Sequence, residues 1–144
     1  MKIVGISDED RNWYKKPSMY VVFPKCVLNC EGCIKEKHKI VEVEPSVLVE
    51  RYRVEALVCG GLEPFDSFDD LFELIVEFRK KTLDDVVIYT GYKNDEIAEQ
   101  VEKLKSFPNI IVKFGRFIPN QEEHFDEVLG KNLPSLNQYA VKIS

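Results

Sequence analysis

No stretch of this 144-residue chain approaches the length of an apolar membrane span, and Met1-Lys2-Ile3-Val4-Gly5 lacks the architecture of a signal peptide. The expectation is therefore a cytosolic protein, in a compartment where thiols stay reduced. Positive charge is also short: the net charge is -5 and the pI near 5.2. That balance gives no electrostatic footprint for nucleic acid. No internal repeat or low-complexity stretch occurs. Histidine is scarce, with only His38 and His124, and a lone residue such as His38 reads as an exposed polar side chain more than as a ligand.

What the chain does have is a core. Hydrophobic residues make up 44% of it and it carries nine Phe, six Tyr and one Trp. This is enough for one compact domain spanning 1–144 and argues against disorder. The apolar run Met19–Phe23 reads as a buried strand, and Pro24 ends it because proline has no amide to donate. Directly after it comes Cys26-Val27-Leu28-Asn29-Cys30-Glu31-Gly32-Cys33. Three of the four cysteines thus fall within eight residues on a loop leaving the C-terminal end of a strand, the end at which open α/β sheets and barrels bind ligands. Such clustering fits a metal site better than two disulfides.

Two metals compete. Cys30-x2-Cys33-x4-His38 matches the first three positions of a zinc knuckle, but the knuckle's fourth falls on Val43; zinc prefers a closed set of four ligands, and Cys26 is the irregular candidate for the fourth. The knuckle's usual ligand, single-stranded nucleic acid, also suits an acidic chain poorly. The other reading is a [4Fe-4S] cluster held by three thiolates instead of the usual four, leaving one iron open to a cofactor. The basic run Lys35, Lys37, His38 and Lys39 is either a solvated loop or a docking site for an acidic partner.

Further along, strands alternate with helices. Residues 2–7 form a short strand at a sheet edge, and 40–43 a brief extended segment. Ser46 caps a helix over about 47–53. Glu55–Cys59 is a strand running into Gly60-Gly61, where Cys59 is inert packing. Ser67-Phe68-Asp69-Asp70 has the form of a capping box opening a helix to about Lys81. Val86–Tyr89 is a buried strand, and Asn94 caps a helix presenting Ile97, Ala98, Val101 and Leu104. Pro108-Asn109 turns the chain into the strand Ile110–Phe114. Residues 119–136 read as a long loop or a poorly formed helix, and Tyr139–Ile143 as a terminal strand. Alternation of this kind implies βα units and a largely parallel sheet. A full eightfold barrel needs roughly 200 residues or more, so the fold expected is α/β, a partial, splayed βα barrel in a single small domain.

The cysteine triplet, together with Gly60-Gly61-Leu62-Glu63-Pro64, Tyr89-Thr90-Gly91-Tyr92, Gly115-Arg116-Phe117 and Asn137-Gln138, resembles the radical S-adenosylmethionine (SAM) superfamily. Within it the chain is similar to the activating proteins of anaerobic ribonucleotide reductases, from about residue 19 onward. The resemblance implies that Cys26, Cys30 and Cys33 hold a [4Fe-4S] cluster. It also implies that Gly60, Gly61 and Glu63 hold SAM, the glycines at its methionyl part and the acid at its amine. Gly32 and Ile34 flank the third thiolate in the chain, and the resemblance implies that they line the adenine by backbone or packing contacts. Asn137-Gln138 either reaches the nucleoside end of SAM or is an ordinary turn. The activity implied is an oxidoreductase that generates a glycyl radical on a large reductase subunit, with an electron donor as second partner.

This chain departs from the family pattern in places. No Gly-Pro-Gly-x-Arg stretch precedes the cysteines, Leu62 separates the glycines from the acid, and Phe114 stands where Asp is frequent. Two alternatives remain at this level: a small zinc-binding interaction module, and a radical SAM enzyme acting on another substrate.

Overall fold

The computed structural model describes residues 1–24 and 40–144. Its centre is a six-stranded sheet. The parallel part comprises β3 (Ser18–Phe23), β5 (Ala56–Gly61), β6 (Asp85–Tyr89) and β7 (Ile110–Phe114). These are the β-branched and aromatic runs, and neighbouring strands pair in parallel register, Val21 with Cys59, Cys59 with Ile88 and Ile88 with Val112. Antiparallel strands flank them: β2 (Gly5–Asp10) beside β3, and β10 (Tyr139–Lys142) beside β7. The order is β10-β7-β6-β5-β3-β2. Since β2 and β10 are not paired with each other, the sheet is not a closed barrel. A two-stranded pair joins β1 (Lys2–Ile3) to β4 (Val41–Glu42). The protein is thus a mixed α/β domain with a mostly parallel central sheet. Among the described residues no helix is long and apolar enough to cross a membrane.

Among the described residues three helices connect the parallel strands: α1 (Pro45–Arg51), α2 (Phe68–Lys81) and α3 (Ala98–Leu104). The strands follow one another across the sheet without reversing direction, and all three helices pack on one face. Their Leu48, Val49, Leu71, Ile75, Phe78, Val101 and Leu104 share one core with Met19, Val21, Phe23, Leu57, Cys59, Val86, Ile88, Val112 and Phe114. The opposite face carries a smaller core, in which Val58, Val87, Ile111 and Ala140 meet Tyr14, Leu129 and Leu133.

Several local expectations change. Helix α1 starts before Ser46, because Pro45 occupies its first turn, where a missing amide costs nothing. Ser67 makes no capping bond, since a 3-10 turn over Pro64–Ser67 leads into α2. A 3-10 turn over Asn94–Ile97 likewise precedes α3, and the Glu96 carboxylate accepts the Lys93 amide at 2.8 Å. Residues 119–136 are not a loop or helix throughout. They contain a hairpin of β8 (His124–Asp126) and β9 (Lys131–Leu133), organised by buried Asp126, which accepts the amides of Leu129 and Ala140.

Candidate functional site

The C-terminal ends of the four parallel strands form one rim. Strand β3 enters it at Phe23-Pro24, whose side chains are buried, and the segment bearing Cys26, Cys30 and Cys33 follows. Those cysteines, with Gly32, Ile34 and His38, lie outside the described residues. The edge from which they leave is well defined: Phe23 pairs with Gly61, and the Phe23 carbonyl accepts the Leu62 amide at 3.0 Å. The cysteine segment therefore departs beside the glycine pair.

Gly61 has φ +92, and a Cβ there would lie 2.6 Å from Val22 Cγ1 and 2.8 Å from the Phe23 backbone. A Cβ at Gly60 would meet the Tyr20 hydroxyl at 2.7 Å. Close approach is indeed what these glycines permit, and the group approached is the chain's own β3. A glycine pair reads identically in sequence whether its neighbour is a ligand or a strand.

Glu63 follows the turn and is 2% exposed. Its Oε2 accepts the Thr90 hydroxyl at 2.8 Å and the Phe65 amide at 3.2 Å, and its Oε1 accepts the Gly91 amide at 2.8 Å. Burial pushes its carboxyl above the usual carboxylate range, opposed by those three bonds. Glu63 thereby ties the end of β5 to the end of β6. An ionised carboxylate offers about four acceptor positions, so three bonds leave about one for a ligand. Thr90 extends the tie by accepting the Tyr92 amide at 3.0 Å.

Asn137 lies across the rim. Its amide donates to the Arg116 carbonyl at 2.7 Å and its Oδ1 accepts the Ser135 hydroxyl at 2.7 Å. Its backbone carbonyl would stand 2.9 Å from a Cβ on Gly115, which has φ +101. The structure thus brings Gly60, Gly61, Glu63, Gly91, Gly115 and Asn137 to one end of the sheet. Beside them runs an open groove of about 940 Å³, lined in part by Gly91, Arg116, Phe117, Asn137 and Tyr139.

Sequence reasoning passed over Lys113 on β7 as one more strand residue. It is 6% exposed, and its Nζ donates to the Gly115 carbonyl at 2.8 Å. Burial lowers its ammonium to about 8, against an attraction to Glu63 that raises it. The signal was available: a lysine within a run such as Ile-Ile-Val-Lys-Phe must be buried or misplaced, and buried lysines are rare.

Cys59, the fourth cysteine, is fully buried in the helix-side core, and burial pushes its thiol well above the ordinary range. Among the described residues no group of three Cys, His, Asp or Glu could hold a metal ion. The three clustered cysteines lie outside the described residues, and thiolates are the usual donors of iron–sulfur clusters. The family model of the 4Fe-4S single cluster domain matches residues 17–137, which takes in all three. The chain belongs to that family. It is an iron–sulfur protein, and its function depends on a 4Fe-4S cluster. No curated protein and no solved structure matches it.

Proposed function

We propose that this 4Fe-4S protein is a radical SAM activase that produces a glycyl radical on a large anaerobic ribonucleotide reductase. The observation that carries the reading is the convergence of Gly61, Glu63, Gly91 and Gly115-Arg116 on the strand ends where the cysteine segment departs, in a chain of the 4Fe-4S single cluster family. That domain is found in radical SAM activases. The sheet supports the reading too. Its strand order does not reverse and its helices lie on one face, as in a sector of a βα barrel, whereas doubly wound sheets reverse and carry helices on both faces.

In this reading Cys26, Cys30 and Cys33 hold the cluster. Gly32, Ile34, Gly60, Gly61, Glu63 and Asn137 border the cofactor. When bound, cluster and SAM would supply one-electron chemistry able to abstract a hydrogen atom. The chain's own part is positioning. Glu63 keeps its remaining acceptor position for the cofactor's amine, while its bonds to Thr90 and Gly91 fix the height of the β6 loop. The Gly115-Arg116 turn, braced by Asn137, holds the far wall. The open side of the sheet leaves room for a glycine-bearing loop of the partner, which would exclude water from the radical. An electron donor, in a reducing cytoplasm, completes the set.

Anaerobic reconstitution tests this. The expected product is a brown protein with about four irons per chain, whose reduced EPR signal changes on adding SAM. With the reductase present, SAM cleavage should accelerate and a glycyl doublet should form on the large chain. A colourless protein binding one tight zinc overturns the reading, as does stoichiometric consumption of a small metabolite in place of the doublet.

A further inference from the structure

Residues 11–17 cross the sheet on the face away from the helices, and the crossing is pinned on both sides of Trp13. Before it, the Asn12 amide donates to Asp10 Oδ1 at 2.7 Å. After it, Tyr14, 2% exposed, donates its hydroxyl to Asp85 Oδ2 at 2.7 Å, and the Lys16 ammonium reaches the same oxygen at 3.0 Å. The Lys15 amide donates to the Leu129 carbonyl at 2.8 Å. Trp13 itself is held by two tyrosines of the strands. Its ring stacks on Tyr20 with centroids 5.3 Å apart and planes 17° from parallel, and it meets Tyr89 edge-on at 5.5 Å. The Tyr89 hydroxyl also donates to its carbonyl.

Packing does not explain this residue. Tyr14 and Lys16 already fasten the crossing, and tryptophan in a folded chain is on average well covered, yet Trp13 stays 38% exposed. Its place is the informative part. Tyr20, the ring against which it stacks, lies so close to Gly60 that a Cβ there would meet the Tyr20 hydroxyl at 2.7 Å. Tyr89 is the last residue of β6 before Thr90-Gly91. Trp13 is thus one ring away from the rim at two strand ends. A flat, rigidly held, part-exposed indole is the kind of group that anchors a protein contact, because it offers area at low entropic cost.

We propose that Trp13 is the floor on which the glycine-bearing loop of the reductase rests, and that it selects the glycine of that loop. The inference rests on the activase reading above, which brings that loop to this face of the sheet. The match is chemical. Glycine alone carries hydrogen on both faces of its Cα, so one face can lie on the indole while the other turns to the strand ends. Any other residue has a Cβ, which either lifts the backbone off the ring or takes the face turned to the rim. A fixed floor therefore sets both the depth of the loop and the identity of the residue presented. Trp13 touches the partner and not the cofactor, so it is a positioning residue.

The chain has a single tryptophan, which makes the contact readable. Protein grown with 5-fluorotryptophan and reconstituted with its cluster gives one fluorine resonance. Unlabelled cognate reductase, added with SAM, is expected to shift it, and so is a synthetic peptide copied from the reductase's glycine-bearing loop. The same peptide with that glycine replaced by alanine should bind about 10-fold more weakly. Trp13→Ala is expected to weaken the reductase about 10- to 30-fold and to lower the yield of glycyl radical per SAM cleaved. Its SAM affinity, by equilibrium dialysis, should stay within about twofold of wild type. Trp13→Phe, checked for iron content and melting temperature, keeps a ring on Tyr20 and should recover most of the yield. A resonance unmoved by reductase in a preparation that forms the glycyl doublet overturns the assignment. So does an alanine peptide that binds as well as the glycine one, or a Trp13→Ala protein that loses SAM in step with the reductase. A shift that follows the protein's own concentration, without reductase, overturns it in favour of a second copy on this face. Wild-type protein that binds the reductase and SAM yet forms no doublet would instead defeat the activase reading itself.

Discussion

The two faces of the sheet are built to different specifications. Toward the helices, β3, β5, β6 and β7 present Met19, Val21, Phe23, Leu57, Cys59, Val86, Ile88, Val112 and Phe114, all buried. Away from them the same strands present Tyr20, Asp85, Tyr89 and Lys113 among smaller apolar residues. Asp85 accepts Tyr14 and Lys16, Tyr89 donates to the Trp13 carbonyl, and Trp13 stacks on Tyr20 at 5.3 Å. One face thus supplies stability through apolar burial, and the other carries charge and hydroxyls that add little stability. A residue's face, more than its burial, indicates which purpose it serves.

The contrast can be broken from either side. The largest effect is expected on the helix face: Phe78, 1% exposed and edge-on to Tyr52 at 4.7 Å, should cost about 3–5 kcal/mol when replaced by alanine, read by denaturant unfolding. On the other face Lys113→Met should move stability the opposite way. A fall from 10.5 to about 8 corresponds to a cost on the order of 3 kcal/mol, so the variant should be the more stable protein near pH 7. The dependence on pH has a definite sign. Below about 8 both folded and unfolded chains hold the proton and the cost is felt in full. Between about 8 and 10.5 the folded state releases it while the unfolded state keeps it, so wild-type stability rises with pH and the gap to Lys113→Met closes. A gap that widens over that window would mean Lys113 is not a buried cation.

Gly61→Ala comes next, at about 1–3 kcal/mol, since alanine at positive φ is strained and the Cβ would press on Phe23. The loss should appear in global unfolding, with or without SAM. A variant of undiminished stability that has lost only SAM affinity would restore the glycine to a purely cofactor role. The smallest effect belongs to Tyr14→Phe, which removes the hydroxyl bond to Asp85 at 2.7 Å and should cost about 1 kcal/mol in the same measurement.

Much of the fold was legible where a single signal dominated. The four parallel strands announced themselves as β-branched runs, and Asn109, with φ 58, marked the turn before β7 as Pro108-Asn109 suggested. Helix starts were less legible because two candidates stood side by side: proline at 45 outbid serine at 46, and a 3-10 turn took over from Ser67. The hairpin at β8 and β9 escaped because its strands have three residues each and its organiser, Asp126, is a buried acid that looks like a surface one. In the candidate site, position along the chain was readable and contact was not. Glu63 stood out as an acid after glycines, but its bonds to Thr90 and Gly91 span 27 and 28 residues. Lys113 hid in plain view, because one charge inside an apolar strand is easily averaged away.

The seclusion of Cys59 in the helix-side core has a consequence for chemical labelling. With the thiol shut from water and its ionisation suppressed, a water-borne alkylating reagent has no thiolate there to attack while the fold holds. Of the four cysteines in the chain, Cys59, the fourth, should stay unalkylated in the native protein. The fourth should react only on unfolding, which makes Cys59 a built-in reporter: its alkylation, read by mass, would count the molecules that have lost the core.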